Sequence, residues 1–203
     1  MDFETAISHL SKDKRFAPVI QQTQIEALQP SRNVYYDLLD SIVSQQLSVK
    51  AAATIFGRFC ALFPDNYPTP EQLLDIETER LRAAGLSNQK ASYLKNVAAF
   101  ALENNLDNTN WPTLSDADIV NHLSQIKGVG KWTVEMILIF TLNRPDVFPV
   151  DDLGIQQAMI KLFGLSSSKK ELLRDMVKLS EPWQPYRSTA SRLLWRWKSQ
   201  VNQ

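Results

Sequence analysis

A single cysteine, two histidines and a net charge of zero remove several kinds of chemistry from this 203-residue chain before any motif is read. Cys60 has no partner for an internal disulfide and cannot supply a four-cysteine iron–sulfur centre. Lying in an apolar helical pattern, it reads as a core residue in a reducing compartment. His9 and His122 alone argue against a histidine-rich metal centre and against a Ser-His-Asp triad. No apolar run approaches the roughly 20 residues that span a bilayer, so no membrane partner is expected. Met1-Asp-Phe-Glu-Thr5 has no basic stretch leading into an apolar one, so no secretory signal is expected. The protein is expected to be intracellular, in the bacterial cytoplasm or, if eukaryotic, in the nucleus. Strand-length alternation of apolar and polar residues is also missing, which makes the fold class all-α. With no internal repeat or long linker, residues 1–203 are expected to form a single domain.

What is present is unevenly placed. Lys and Arg equal Asp and Glu at 22 each, yet residues 1–120 carry a net charge of −5 and residues 121–203 a net of +5. A neutral chain is a poor advertisement for nucleic-acid binding. Its basic half, however, is the half that contains the most informative motif.

Helix signals run the length of the chain. Ser48 is placed to cap a helix burying Val49, Ala52, Phe56, Phe59 and Phe63. Thr69-Pro-Glu-Gln72 reads as a capping box with proline at the first helical position. Gly85 ends one helix and Ser87 starts the next. Ser115-Asp-Ala-Asp118 and Ser168-Lys-Lys-Glu171 are further starts. The last helix follows Pro185 and carries Leu193, Leu194, Trp195 and Trp197.

Between residues 116 and 142 the apolar pattern is helical, then interrupted by Gly128-Val-Gly130, then helical again. Glycines without a Cβ permit positive φ or close approach, so the stretch predicts a helix, a tight hairpin and a second helix. Main-chain N–H groups at the start of that second helix suit an anion such as a phosphate. No strand precedes the glycines and no third glycine follows, so this is not a dinucleotide fingerprint. Beyond it comes Phe148-Pro-Val-Asp-Asp-Leu-Gly154, with Asp151 and Asp152 at a helix start. Aspartate there caps the helix, and a negative charge is favoured at such an end.

These two blocks, with Ile42-Val-Ser-Gln-Gln-Leu-Ser-Val-Lys-Ala-Ala52 and Trp183-Gln-Pro-Tyr-Arg-Ser188, occur in the order found in helix-hairpin-helix DNA base-excision glycosylases. The chain resembles the alkylated-base branch of that family, the 3-methyladenine DNA glycosylase II type. The resemblance implies two helical lobes with a cleft between them, one of about residues 38–144 and the other of 1–37 plus 145–203. It implies a monomeric, monofunctional enzyme that flips alkylated purines out of double-stranded DNA and hydrolyses the N-glycosidic bond.

The resemblance also assigns roles. Asp152, not Asp151, takes the catalytic position, where a carboxylate stabilises an oxocarbenium-like transition state and orients water. Trp132, Trp195 and Met136 take the base pocket, where an electron-poor purine gains from stacking on tryptophan. Met136 stands where some relatives have an aromatic residue. Gly128, Gly130, Lys131 and Thr133 take the DNA-backbone contact. Gln46, with Leu47 as the alternative, takes the wedge that fills the vacated base position. Trp132 occupies the place where strand-cleaving relatives carry a Schiff-base lysine, so water is the expected nucleophile. No cofactor is expected, although the hairpin of relatives holds Na+ or K+ through main-chain carbonyls, here those of Ser124, Ile126 and Val129. The competing reading is a non-catalytic hairpin module that only binds DNA, which would need neither Asp152 nor the tryptophans. A glycosylase for oxidised or mismatched bases is disfavoured by Trp132 and by the absence of four cysteines.

Overall fold

Side-chain oxygens start the helices where the sequence places them. In the computed structural model, which describes residues 2–166 and 168–201, every regular element is helical. The helices α1 (Phe3–Leu10) and α2 (Ala17–Gln22) come first. Next are α3 (Val34–Ser44), α4 (Val49–Cys60), α5 (Pro70–Asp75), α6 (Thr78–Ala83) and α7 (Asn88–Glu103). The pair α8 (Asp116–Leu123) and α9 (Lys131–Met136) flanks the glycine hairpin, and a π-helical segment, Ile137–Thr141, continues α9. The chain closes with α10 (Leu153–Phe163), α11 (Lys169–Ser180) and α12 (Arg187–Val201). Ser48, Ser87 and Ser115 accept the N–H groups of Ala51, Lys90 and Asp118 at 3.3, 3.2 and 3.1 Å. Each satisfies a donor that a helix start leaves open. None of the described helices is long and apolar enough to cross a membrane.

The chain divides into two compact units, Ser31–Ile137 and the remainder up to Pro30 and from Leu138 onward. The resemblance implies lobe limits at about 38 and 144, and the bounds of these units are 31 and 137. Residue 38 lies inside α3, which already starts behind Asn33, whose Oδ1 accepts the Tyr36 N–H at 2.9 Å. At the other limit, Phe140 of the π segment stacks on Trp195, which draws residues 138–144 out of the first unit.

In the unit Ser31–Ile137, α3 packs on α4 and α7, α5 on α7, and α8 on α9. Leu38, Leu39, Ile42, Leu94 and Val97 are fully buried there, each contributing about 1.5–3 kcal/mol. Two details differ from expectation. Val49 is 88% exposed, because it sits on the first turn of α4 while Ala52, Phe59 and Cys60 carry the buried face. The Thr69 box is only half formed. Thr69 accepts the Gln72 N–H at 3.4 Å, but Gln72 Oε1 is buried without a hydrogen-bond partner among the described residues. Ser168 and Glu171 do make a full box.

In the other unit, α12 packs against α1, α2 and α10. Its centre is Trp183, fully buried, with the rings of Phe16, Phe148 and Phe163 at 4.6, 6.0 and 6.3 Å. The indole N–H donates to Asp13 Oδ2 at 3.1 Å. The Arg15 guanidinium bonded to Asp13 holds that carboxyl below its ordinary value, so the acceptor stays charged.

Gly128 is the tightest point of the hairpin. Its φ is +106°, and a Cβ built there would lie 2.3 Å from Cγ of Tyr93. Gly128→Ala therefore combines backbone strain with a steric clash, and should cost at least about 2 kcal/mol. Denaturant unfolding checks this, and an unchanged midpoint would show that the hairpin can relax around a methyl group.

Candidate active site and nucleic-acid interface

The segment before α10 is held from α12. The Arg187 guanidinium grips Asp146 through Nε at 2.7 Å and its terminal nitrogen at 2.8 Å. Ser188 donates its N–H to the Pro145 carbonyl at 3.0 Å, while its Oγ accepts the Val147 N–H at 2.9 Å. With Trp183 in the core, the whole Trp183–Ser188 block acts as an anchor for residues 145–152. Two-point Arg–carboxylate pairing fixes direction as well as distance.

At the end of that segment Asp152 caps α10. Its Oδ1 accepts the Ile155 N–H at 2.8 Å and the indole N–H of Trp195, also at 2.8 Å. Two donors on one oxygen stop the carboxylate from rotating and hold its second oxygen in one direction. Gly154 is what lets the indole in. A Cβ there would stand 3.0 Å from Asp152 Oδ1 and 3.0 Å from Trp195 Cδ1. Trp195 is half-buried and stacks on Phe140, with ring centroids 5.9 Å apart and planes 27° apart. Trp197, two residues on, is buried and donates to Gln22 Oε1 at 2.9 Å, so it belongs to the core. Asp151 is exposed.

The hairpin and the proposed wedge lie in the other unit. Val129 donates its N–H to the Ile126 carbonyl at 2.9 Å, and the helical bonding of α9 begins with Val134 N–H on the Gly130 carbonyl at 3.1 Å. Gly130 does not fit the expectation placed on it. Its φ is −96°, and a Cβ would meet nothing within 4 Å. Neither its backbone nor its own packing demands glycine; the space beside it is open. Of the carbonyls considered for a monovalent cation, those of Ser124, Ile126 and Val129 all fall in the hairpin, and Ile126's, though bonded once, keeps a second lone pair.

The turn after α3 is tied to this hairpin, with Gln45 Nε2 donating to the Gly128 carbonyl at 3.3 Å. Lys90 Nζ donates to the carbonyls of Val43 and Gln45, both at 2.8 Å, and burial pulls its pKa below the ordinary lysine value. So secured, the turn presents Gln46, exposed and with φ +58°, and Leu47 at 38% exposure. Both line a cavity of about 670 Å³ together with Gly130, Trp132, Thr133 and Met136. Trp132 is 43% exposed. Thr133 is buried, at 3% exposure. Lys131 points to Glu135, with Nζ 3.5 Å from Oε1 of this buried carboxylate.

Residues 39–184 match the model of the HhH-GPD superfamily base excision DNA repair proteins. The chain belongs to that superfamily. It is 34% identical over 201 residues to the alkylbase DNA glycosidase-like protein mag2 of Schizosaccharomyces pombe, covering 96% of this chain and 93% of that one. It is 35% identical over 185 residues to DNA-3-methyladenine glycosylase 1 of the same yeast, covering 90% and 80%. The S. pombe 3-methyladenine DNA glycosylase Mag1, solved in complex with abasic DNA, superposes with a TM-score of 0.79 at 36% identity, covering 94% and 95%.

The superfamily match ends at residue 184, so Trp195 lies outside it and is located by its bond to Asp152 and its stacking on Phe140. Four residues of these surfaces were missed by sequence reasoning: Phe140, Glu135, Lys90 and Asp40. The first carries a usable signal only in structure, since π-helical turns gather at functional sites but leave no mark in the apolar pattern of Ile137–Thr141. Gly154→Ala should slow any chemistry that uses Asp152 about tenfold, by separating the indole from the carboxylate, while leaving the unfolding midpoint within about 1 kcal/mol. Single-turnover kinetics beside a melting curve separates the two. A wild-type rate would mean that the Asp152–Trp195 contact is dispensable.

Proposed function

We propose that the chain is a monofunctional DNA glycosylase that releases alkylated purines of the 3-methyladenine and 7-methylguanine type from double-stranded DNA. The observation that carries this reading is the Asp152 carboxylate, held by both a helix N–H and the Trp195 indole, in a chain this similar to named alkylbase glycosylases. A module that only bound DNA would need no such oriented carboxylate.

In this mechanism the C1′–N bond of the flipped nucleotide breaks, with its electron pair leaving on the base. An N-alkylated purine is already cationic, so it departs without prior protonation. Positive charge grows on the deoxyribose, and the fixed carboxylate of Asp152 stabilises it. Water adds to C1′, and Asp152 orients it and takes up its proton. Trp132 supplies a half-exposed aromatic face for an electron-poor base. Gln46 or Leu47, on their rigid turn, fill the place the base has left.

The open space at Gly130 admits a DNA phosphate to the hairpin amides, and Lys131 lends positive charge nearby. Its ammonium is engaged with Glu135, which favours water over an amine as nucleophile. A Na+ or K+ ion on the carbonyls of Ser124, Ile126 and Val129 would offset the dipoles of the hairpin beside the phosphate. The enzyme acts as a monomer where DNA is kept, in the bacterial cytoplasm or the eukaryotic nucleus.

Incubation with methylated duplex DNA should release 3-methyladenine and 7-methylguanine, identified by chromatography. The strand should stay intact, and borohydride should trap no covalent adduct. Asp152→Asn should lower single-turnover release by at least about a hundredfold, while Asp151→Asn stays near wild type. No release by the wild-type protein, or release indifferent to Asp152→Asn, would overturn the assignment.

A further inference from the structure

The cavity that holds Trp132 has an acidic wall. Asp40, on α3, lines it along with Ser41, Ser44, Trp132 and Met136. Ser44, one helical turn on, donates its hydroxyl to Asp40 Oδ1 at 3.4 Å, which orients the carboxyl. Asp40 forms no ion pair among the described residues. Asp40 is exposed to solvent, and partial desolvation, with the like charge of Asp37 on the same helix, pushes its carboxyl above its ordinary value. A carboxylate on the cavity wall with no protein cation beside it among the described residues attracts a cation or an N–H donor that enters the cavity.

We infer that Asp40 is a specificity residue for the excised base, its carboxylate selecting cationic alkylated purines over neutral ones in the cavity that Trp132 lines. The inference rests on the glycosylase reading above and extends it to substrate choice. A 7-methylguanine or 3-methyladenine nucleotide carries a formal positive charge, and both also carry an exocyclic amine. The aromatic face of Trp132 attracts that charge from one side. A carboxylate on the cavity wall attracts it as well, and accepts an N–H from the exocyclic amine. Hypoxanthine is neutral and has no exocyclic amine, so it gains neither contribution. Asp40 makes no contact with the sugar in this scheme; it sets which base is held, not how the bond is broken.

The test is single-turnover excision with duplexes carrying one 7-methylguanine or one hypoxanthine, and equilibrium binding to a duplex carrying an abasic site. Asp40→Asn keeps the size and the hydrogen-bonding edge but removes the charge. It should lower 7-methylguanine excision at sub-saturating enzyme about tenfold, mainly through a raised half-saturating concentration. Any hypoxanthine excision should change less than about threefold, and affinity for the abasic duplex, which has no base to select, should be unchanged. Asp40→Glu should restore most of the 7-methylguanine rate. A wild-type rate on 7-methylguanine for Asp40→Asn would overturn the inference. So would a loss shared equally by both bases or by abasic-DNA binding, which marks a structural role. Absence of base release by the wild-type protein overturns the glycosylase reading itself, a failure distinguishable from either of these.

Discussion

Two N–H donors meet on one oxygen of Asp152, and most of what is distinctive in the unit around it serves that meeting. Ile155 supplies one donor because Asp152 caps α10, a role that aspartate fills in many helices. Trp195 supplies the other only because α12 runs past α10 at the right phase and Gly154 leaves room for the ring. The Asp146–Arg187 pair and the Ser188 bonds hold the intervening segment, so the carboxylate is approached from a scaffold and not from a loose loop. A cap would hold the helix start with a single bond. The second bond is the one that turns a structural aspartate into a directed charge.

The other unit shows the same economy with different parts. The turn carrying Gln46 and Leu47 lies at the C-terminal end of α3, where carbonyls lack helical partners, and Lys90 satisfies two of its carbonyls with one ammonium. Gln45 then joins the turn to the hairpin at Gly128. Gly128 and Gly130, so alike in sequence, do different things. The first is forced to be glycine by positive φ and by the Tyr93 ring, whereas nothing in the protein presses on the second. Open space at a helix start, in a superfamily of DNA repair proteins, is the kind of position that an outside group would need to be clear.

Much of this was legible in residues alone, and the reasons differ by kind of interaction. Local signals were read correctly: the caps at Ser48, Ser87, Ser115 and Asp152, and the hairpin between α8 and α9, depend on residues three or four apart. Long-range choices were not. Trp195 and Trp197 are separated by two positions on one helix, and only the packing of α12 decides that one faces Asp152 and the other the core. Val49 continues the apolar pattern of α4 but lies on its exposed first turn, where pattern and partner part company. Glu135 is buried, and Lys131 accompanies it at i, i+4 spacing, a signal present in the sequence. Asp40 is an exposed carboxylate on a helix, like many others in the sequence, and only the cavity it shares with Trp132 sets it apart.

The central claim is that the indole of Trp195 holds the Asp152 carboxylate in its working orientation. Single-turnover excision of 7-methylguanine by Trp195→Phe addresses it most directly, since phenylalanine keeps an aromatic ring beside Phe140 and removes only the N–H donor and the second ring. The account predicts a rate reduced about tenfold or more, the usual worth of a hydrogen bond to a charged group, with duplex affinity and unfolding midpoint little changed. A wild-type rate in a folded Trp195→Phe protein would contradict it.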